Sequence, residues 1–136
     1  MKLSSSFTIL VARIVLGAVL IAHGWQKIHE WGISGTADSF AAMGVPAASL
    51  AAVVAAVIEF GGGILLIAGL FTRVMGALVA LNMIGAGIFV DHFTTGIFVN
   101  EGSWELVGVI AAAALLLASV GAGAISLDRL LFAKKS

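Results

Sequence analysis

The chain has 136 residues, of which 61% are hydrophobic and only 10% charged, against about 25% charged in an ordinary soluble domain, so the composition is that of a membrane protein. Seven basic and seven acidic side chains cancel, which gives no reason to expect a nucleic-acid partner. With no cysteine, disulfides, thiolate catalysis and iron–sulfur ligation are excluded, and a redox role would require a bound cofactor that the composition does not name.

Four stretches, at residues 7–25, 47–70, 74–91 and 104–124, approach or exceed the roughly 20 apolar residues that cross a hydrocarbon core. They predict an all-α, four-transmembrane-helix bundle, with residues 1–136 forming one integral membrane domain in contact with the lipid bilayer. The first stretch follows Lys2, as a secretory leader would, but Arg13 interrupts it and no A-x-A cleavage pattern follows, so it reads as a retained helix.

The first outer loop, residues 26–46, contains Thr36 as a candidate N-cap, Phe40 and Met43 on one helical face, Gly44 as a stop and Pro46 at the start of the next span. This pattern predicts a short interfacial helix lying on the membrane surface. The turn from Leu70 to Arg73 predicts an antiparallel hairpin of the second and third spans. In the second outer loop GIFVD at 87–91 is echoed by GIFVN at 96–100, too short a match to be a structural repeat. Trp25, Trp31 and Trp104 fall near the outer boundary, where indole rings prefer to sit.

Four spans place both termini and the 70–73 turn on one side, with Lys2, Arg73, Arg129, Lys134 and Lys135; the other side has Lys27 alone, beside Glu30, Asp38, Asp91 and Glu101. The positive-inside rule then makes this a multi-pass protein with both termini cytoplasmic.

Small residues set the helix faces, because association in lipid depends on close packing and polar contacts. Arg13, Gly17, Leu20, Gly24 and Lys27 share one face of the first helix, and Ala52, Ala56, Glu59, Gly63 and Leu66 share one face of the second. These two faces are expected to meet. The third helix offers Asn82 and Phe89, and the fourth Glu105, Ala112, Leu116 and Ser119.

Glu59 is the one deep carboxylate, placed where an ionisable group costs on the order of 2.5–3.5 kcal/mol. At a 1.5 Å rise per residue Arg13 lies roughly 9 Å and Glu59 roughly 16 Å from the inner surface, a gap an arginine side chain can cover, so the two are expected to pair. The competing readings are a snorkelling Arg13 with a protonated Glu59, and a pair that only fixes helix register. The functional reading makes Glu59 the catalytic proton donor or acceptor at the inner end of a ligand slot. In it Arg13 holds Glu59, Gly61 to Gly63 keep one wall free of bulk, and His23, Lys27 and Glu105 frame the outer mouth. Such a slot suits a flat ring that approaches the helix backbone.

Haem between His23 and His92, and a metal at His23, His29, Asp91, His92 or Glu105, are weaker alternatives, since no H-x-x-x-H or paired-cysteine signature supports them.

R-x-x-x-G-x-x-x-x-x-x-G-x-x-K from Arg13 to Lys27, G-V-P at 44–46, E-x-x-G-G-x-x-L-x-x-G-L-x-T-R from Glu59 to Arg73, and G-x-G-x-x-S-L-D-R-L-L at 121–131 together resemble the DoxX family of small bacterial membrane proteins. The resemblance implies a four-helix membrane domain and an oxidoreductase label. That label derives partly from similarity to the small subunit of thiosulfate:quinone oxidoreductase, and some members are thought to work with a soluble redox enzyme. Arg13, Lys27, Glu59 and Arg73 are the family-pattern positions. The function expected is a membrane subunit or anchor of a redox system handling quinone. The alternative is a non-enzymatic scaffold or a small-solute permease working as a homo-oligomer.

Overall fold

The computed structural model describes residues 3–89, 97–98 and 104–132. All elements among them are helical: α1 (Leu3–Trp25), a π-helical segment (Gln26–Glu30), α2 (Gly32–Ala42), α3 (Ala48–Ala68), α4 (Thr72–Phe89), α5 (Glu105–Val120) and α6 (Leu127–Phe132). Three are long and apolar enough to cross a membrane: Ser4–Glu30, Ala48–Ala68 and Thr72–Phe89. The fourth apolar helix, α5, has 16 residues.

Chain ends of the helices follow backbone chemistry. Gly44, at φ 83°, closes α2 with Val45 N donating to Phe40 O at 2.9 Å, a glycine stop of the kind its sequence position predicts. Gly69, at φ 73°, closes α3 in the same way through Leu70 N to Leu65 O at 2.9 Å, so the α3–α4 hairpin is as tight as expected. The start of α2 differs from expectation. The helix begins at Gly32, not after Thr36, because Gly32 takes φ 73° directly after the π-helical segment. Thr36 is buried inside α2, its hydroxyl 2.9 Å from Gly32 O and 3.2 Å from Lys27 O. Pro46 precedes α3 by two residues, with Ala47 between them in a left-handed conformation.

Two layers result: α1 lies along α3 and α4 along α5, with α2 folded back over α3. The faces of α1 and α3 meet as their small residues indicate. A Cβ at Gly17 would stand 2.6 Å from Gly63 O, and one at Gly24 would stand 2.5 Å from Phe60 N, so the backbones touch only because both side chains are absent. On the other side Gly76 plays the same part, where a Cβ would be 2.6 Å from Ala114 O. Leu16, Leu20, Leu66, Val79, Ala114 and Leu117 form the core between the layers.

The face expected of the fourth span is corrected. Val107, Ile110, Ala114 and Leu117 of α5 are buried, whereas Ala112, Leu116 and Ser119 are exposed. An α-helix that is apolar all round carries no signal separating core from lipid. The outward surface of α1, α3, α4 and α5, including Phe7, Val15, Val57, Leu81 and Val109, is apolar and exposed, as contact with a lipid bilayer requires.

The last segment folds back under the bundle. Asp128 accepts hydrogen bonds from Phe71 N at 2.7 Å and Thr72 N at 2.9 Å, capping the start of α4 and matching its dipole. The Arg73 guanidinium donates to the carbonyls of Ala118, Ser119 and Val120 at the end of α5, the complementary arrangement at a C-terminus. Ala124 N donates to Ser6 Oγ at 3.0 Å, which ties this segment to the start of α1.

Candidate functional site

Gly24 packing on Phe60 fixes the register of α1 against α3. Glu59 is therefore level with the turn around Trp25, and Arg13, twelve residues earlier, is roughly 18 Å away along the helix. The partner of Glu59 is Lys27, whose Nζ lies 2.9 Å from Oε1, with side-chain exposures of 12% and 5%. Asn82 of α4 donates from Nδ2 to the other oxygen at 3.3 Å. One carboxylate thus joins α3, α4 and the π-helical segment.

The expected Arg13–Glu59 pair does not form. Arg13 is buried at the opposite end, where Nη2 donates to Ile125 O at 2.7 Å. Its guanidinium fills the space beside Gly69 that a side chain there would occupy. Arg13 and Arg73 both hold backbone carbonyls of the C-terminal half, so these two family-pattern positions act in the fold.

A cavity of about 980 Å³ opens above the Lys27–Glu59 pair, at the upper end of the range for small-molecule sites. His23, Lys27, Glu59 and Asn82 supply its polar wall, while Leu20, Ala55, Met83, Phe89 and Ile110 supply part of the apolar one. Phe40, Met43 and Val45 cover it from α2 and the turn that follows. His23 Nδ1 is 2.9 Å from Val19 O. A carbonyl can only accept, so Nδ1 carries the proton and Nε2 of the neutral ring is an acceptor.

Of the five predicted site residues, the structure brings His23, Lys27 and Glu59 to one cavity. It sends Arg13 elsewhere, and it leaves Glu105, half-buried at the start of α5, outside the lining. Gly61, Gly62 and Gly63 are not part of the wall either. Gly63 meets α1, Gly62 meets Met75, and nothing stands within 4 Å of a Cβ placed on Gly61. Asn82 was legible only as a polar side chain on the third span, and the role of Phe40, Met43 and Thr36 as a cover was not legible. The π-helical segment, which aims Lys27 inward, has no sequence signal here; such segments occur often at functional sites.

Asp91 and His92 lie outside the described residues. His29 is exposed and stacked on Trp25 at 3.8 Å between ring centroids. Among the described residues no three His, Asp or Glu side chains gather as a metal would need.

Residues 8–92 match the profile of the DoxX family. The chain belongs to the DoxX family. Its relatives include the inner membrane protein YphA of Escherichia coli (strain K12), 38% identical over 89% of this chain and 88% of that protein. The inner membrane protein YqjF of the same organism is 38% identical over 96% and 97%. A Bacillus subtilis (strain 168) protein named "Putative oxidoreductase CatD" is 41% identical over 65% of this chain and 64% of its own length. No solved structure matches. The DoxX match covers Arg13, Lys27, Glu59 and Arg73, so the ion pair and both arginines at the opposite end of the bundle lie inside the family region.

Proposed function

We propose that this DoxX protein binds a quinone in the cavity above Glu59 and serves as the membrane subunit or anchor of a redox system completed by a soluble partner enzyme. The observation that carries this reading is a largely apolar cavity of about 980 Å³ whose wall carries the part-buried Lys27–Glu59–Asn82 cluster.

Reducing a quinone takes two electrons, which the partner would supply, and two protons. Lys27 has three N–H donors and gives one to Glu59, which leaves donors for a ring carbonyl. Glu59, held by Lys27 rather than by Arg13, would relay the protons, taking each one from water before giving it to a ring oxygen. His23 Nε2 would accept from the hydroxyl of the reduced ring.

The bundle in this reading has four spans, α1, α3, α4 and α5, with α2 as an interfacial helix over the outer half. Arg73 and Arg129 at one end and Lys27 toward the other favour cytoplasmic termini in a bacterial inner membrane, the location that the names of YphA and YqjF also carry. The oxidoreductase reading gains support from the name of the CatD relative. A permeation path gains none: on the inner side of Glu59, Leu16, Leu66, Met75 and Leu117 pack together.

Trp31 lines the cavity, so its fluorescence reports occupancy. Titration with a short-tailed quinone and its quinol is expected to quench it to saturation. Replacing His23 by Leu removes one hydrogen bond, worth about 0.5–1.5 kcal/mol, and should weaken the quinol roughly two- to tenfold while affecting the quinone less. Equal weakening of both forms would show that His23 does not read the hydroxyl, and the absence of saturable quenching would remove the quinone.

A further inference from the structure

A second cavity, of about 430 Å³, lies at the other end of the bundle, between the start of α4, the loop after α5 and α6. We propose that it holds the phosphate headgroup of an anionic phospholipid. Among the described residues two guanidiniums, Arg73 and Arg129, line it against the single carboxylate of Asp128, which leaves net positive charge among them. Asp128 is already committed to Phe71 N and Thr72 N. Arg73 and Val74 follow, and both line the cavity. The first N–H groups of an α-helix have no intrahelical acceptors and favour an anion.

Arg73 is anchored by the carbonyls at the end of α5, so its charge is held in place. Arg129 is exposed, and no side chain among the described residues is bonded to its guanidinium.

The apolar surroundings select a lipid over a free anion. Phe71 and Phe132 pack with ring centroids 5.6 Å apart beside the cavity, and both are more than half exposed or at half. Leu130 and Leu131 of α6 are exposed as well, at 77% and 60%. This is an apolar shelf next to a basic recess at the ends of membrane helices, the arrangement by which basic pockets take acidic lipid headgroups. The site shares no residue with the cavity at Glu59 and does not depend on what that cavity binds.

The test is a lipid titration of the full-length protein in a neutral detergent, read by thermal unfolding. Phosphatidylglycerol is compared with phosphatidylcholine of the same chains and with inorganic phosphate. The expected result is saturable stabilisation by phosphatidylglycerol alone. Arg129→Gln, which removes no described contact of that side chain, is expected to move the half-saturation point about fivefold upward, the equivalent of roughly 1 kcal/mol for one arginine near an anionic surface. Equal stabilisation by phosphatidylcholine, or an unshifted half-point in Arg129→Gln, would overturn the proposal. Saturable stabilisation by inorganic phosphate alone at matched concentration would make the recess a free-anion site and would overturn the lipid assignment.

Discussion

Lys27→Met is expected to lower stability on the order of 3 kcal/mol, because it leaves the buried Glu59 carboxylate without its countercharge. Both side chains are almost wholly enclosed, and Asn82 at 3.3 Å offers a dipole where a full charge is lost. The double variant Lys27→Met with Glu59→Leu removes both charges and should cost less than the two single changes added together. A double-mutant cycle by thermal unfolding in detergent measures this, and strict additivity would mean the pair contributes no coupling. The same cycle on Arg13→Leu and Glu59→Leu should be additive, since Arg13 bonds to Ile125 O at the far end of α1.

The second large effect is steric. Gly24→Ala would put a methyl group 2.5 Å from Phe60 N and 2.8 Å from Phe60 Cα. Backbone cannot rotate out of the way, so α1 and α3 must separate, and the loss should reach about 2 kcal/mol or more. Gly76→Ala, 2.6 Å from Ala114 O, should do the same to α4 and α5. Gly61→Ala is the internal control: open space surrounds its Cβ position, so replacing a mid-helix glycine should be neutral or stabilise by about 0.5–1 kcal/mol. Unfolding temperatures of the three variants in one detergent give the comparison, and a Gly24→Ala protein as stable as Gly61→Ala would refute the contact.

Much of this arrangement was readable in the sequence where composition varied around a helix. On α1 and α3, glycine and alanine alternate with bulky residues at helical spacing, and the faces so marked are the ones that meet. On α5 the sequence is apolar on every side, and the buried face could not be told from the lipid face. Depth along a helix was less informative than register between helices. Counting residues from one surface put Arg13 within reach of Glu59, but the Gly24–Phe60 contact slides α3 until Lys27 is the neighbour. The motif glycines also divide by role: Gly62 and Gly63 serve packing, and Gly69 leaves room for Arg13. The end caps formed by Asp128 and Arg73 join positions 57 and 46 residues apart along the chain, a pairing that no local pattern announces.

The most direct test of the cavity as a ligand site is mass spectrometry of the small molecules extracted from purified protein, comparing wild type with Gly85→Phe. Gly85 lines the cavity, and a Cβ there meets nothing within 4 Å, so a phenyl ring can enter without displacing backbone. Wild type is expected to retain a quinone in near-stoichiometric amount and Gly85→Phe, folded to a similar unfolding temperature, to retain little. A wild-type protein that carries no quinone, or a Gly85→Phe protein that carries as much, would contradict the assignment of the cavity.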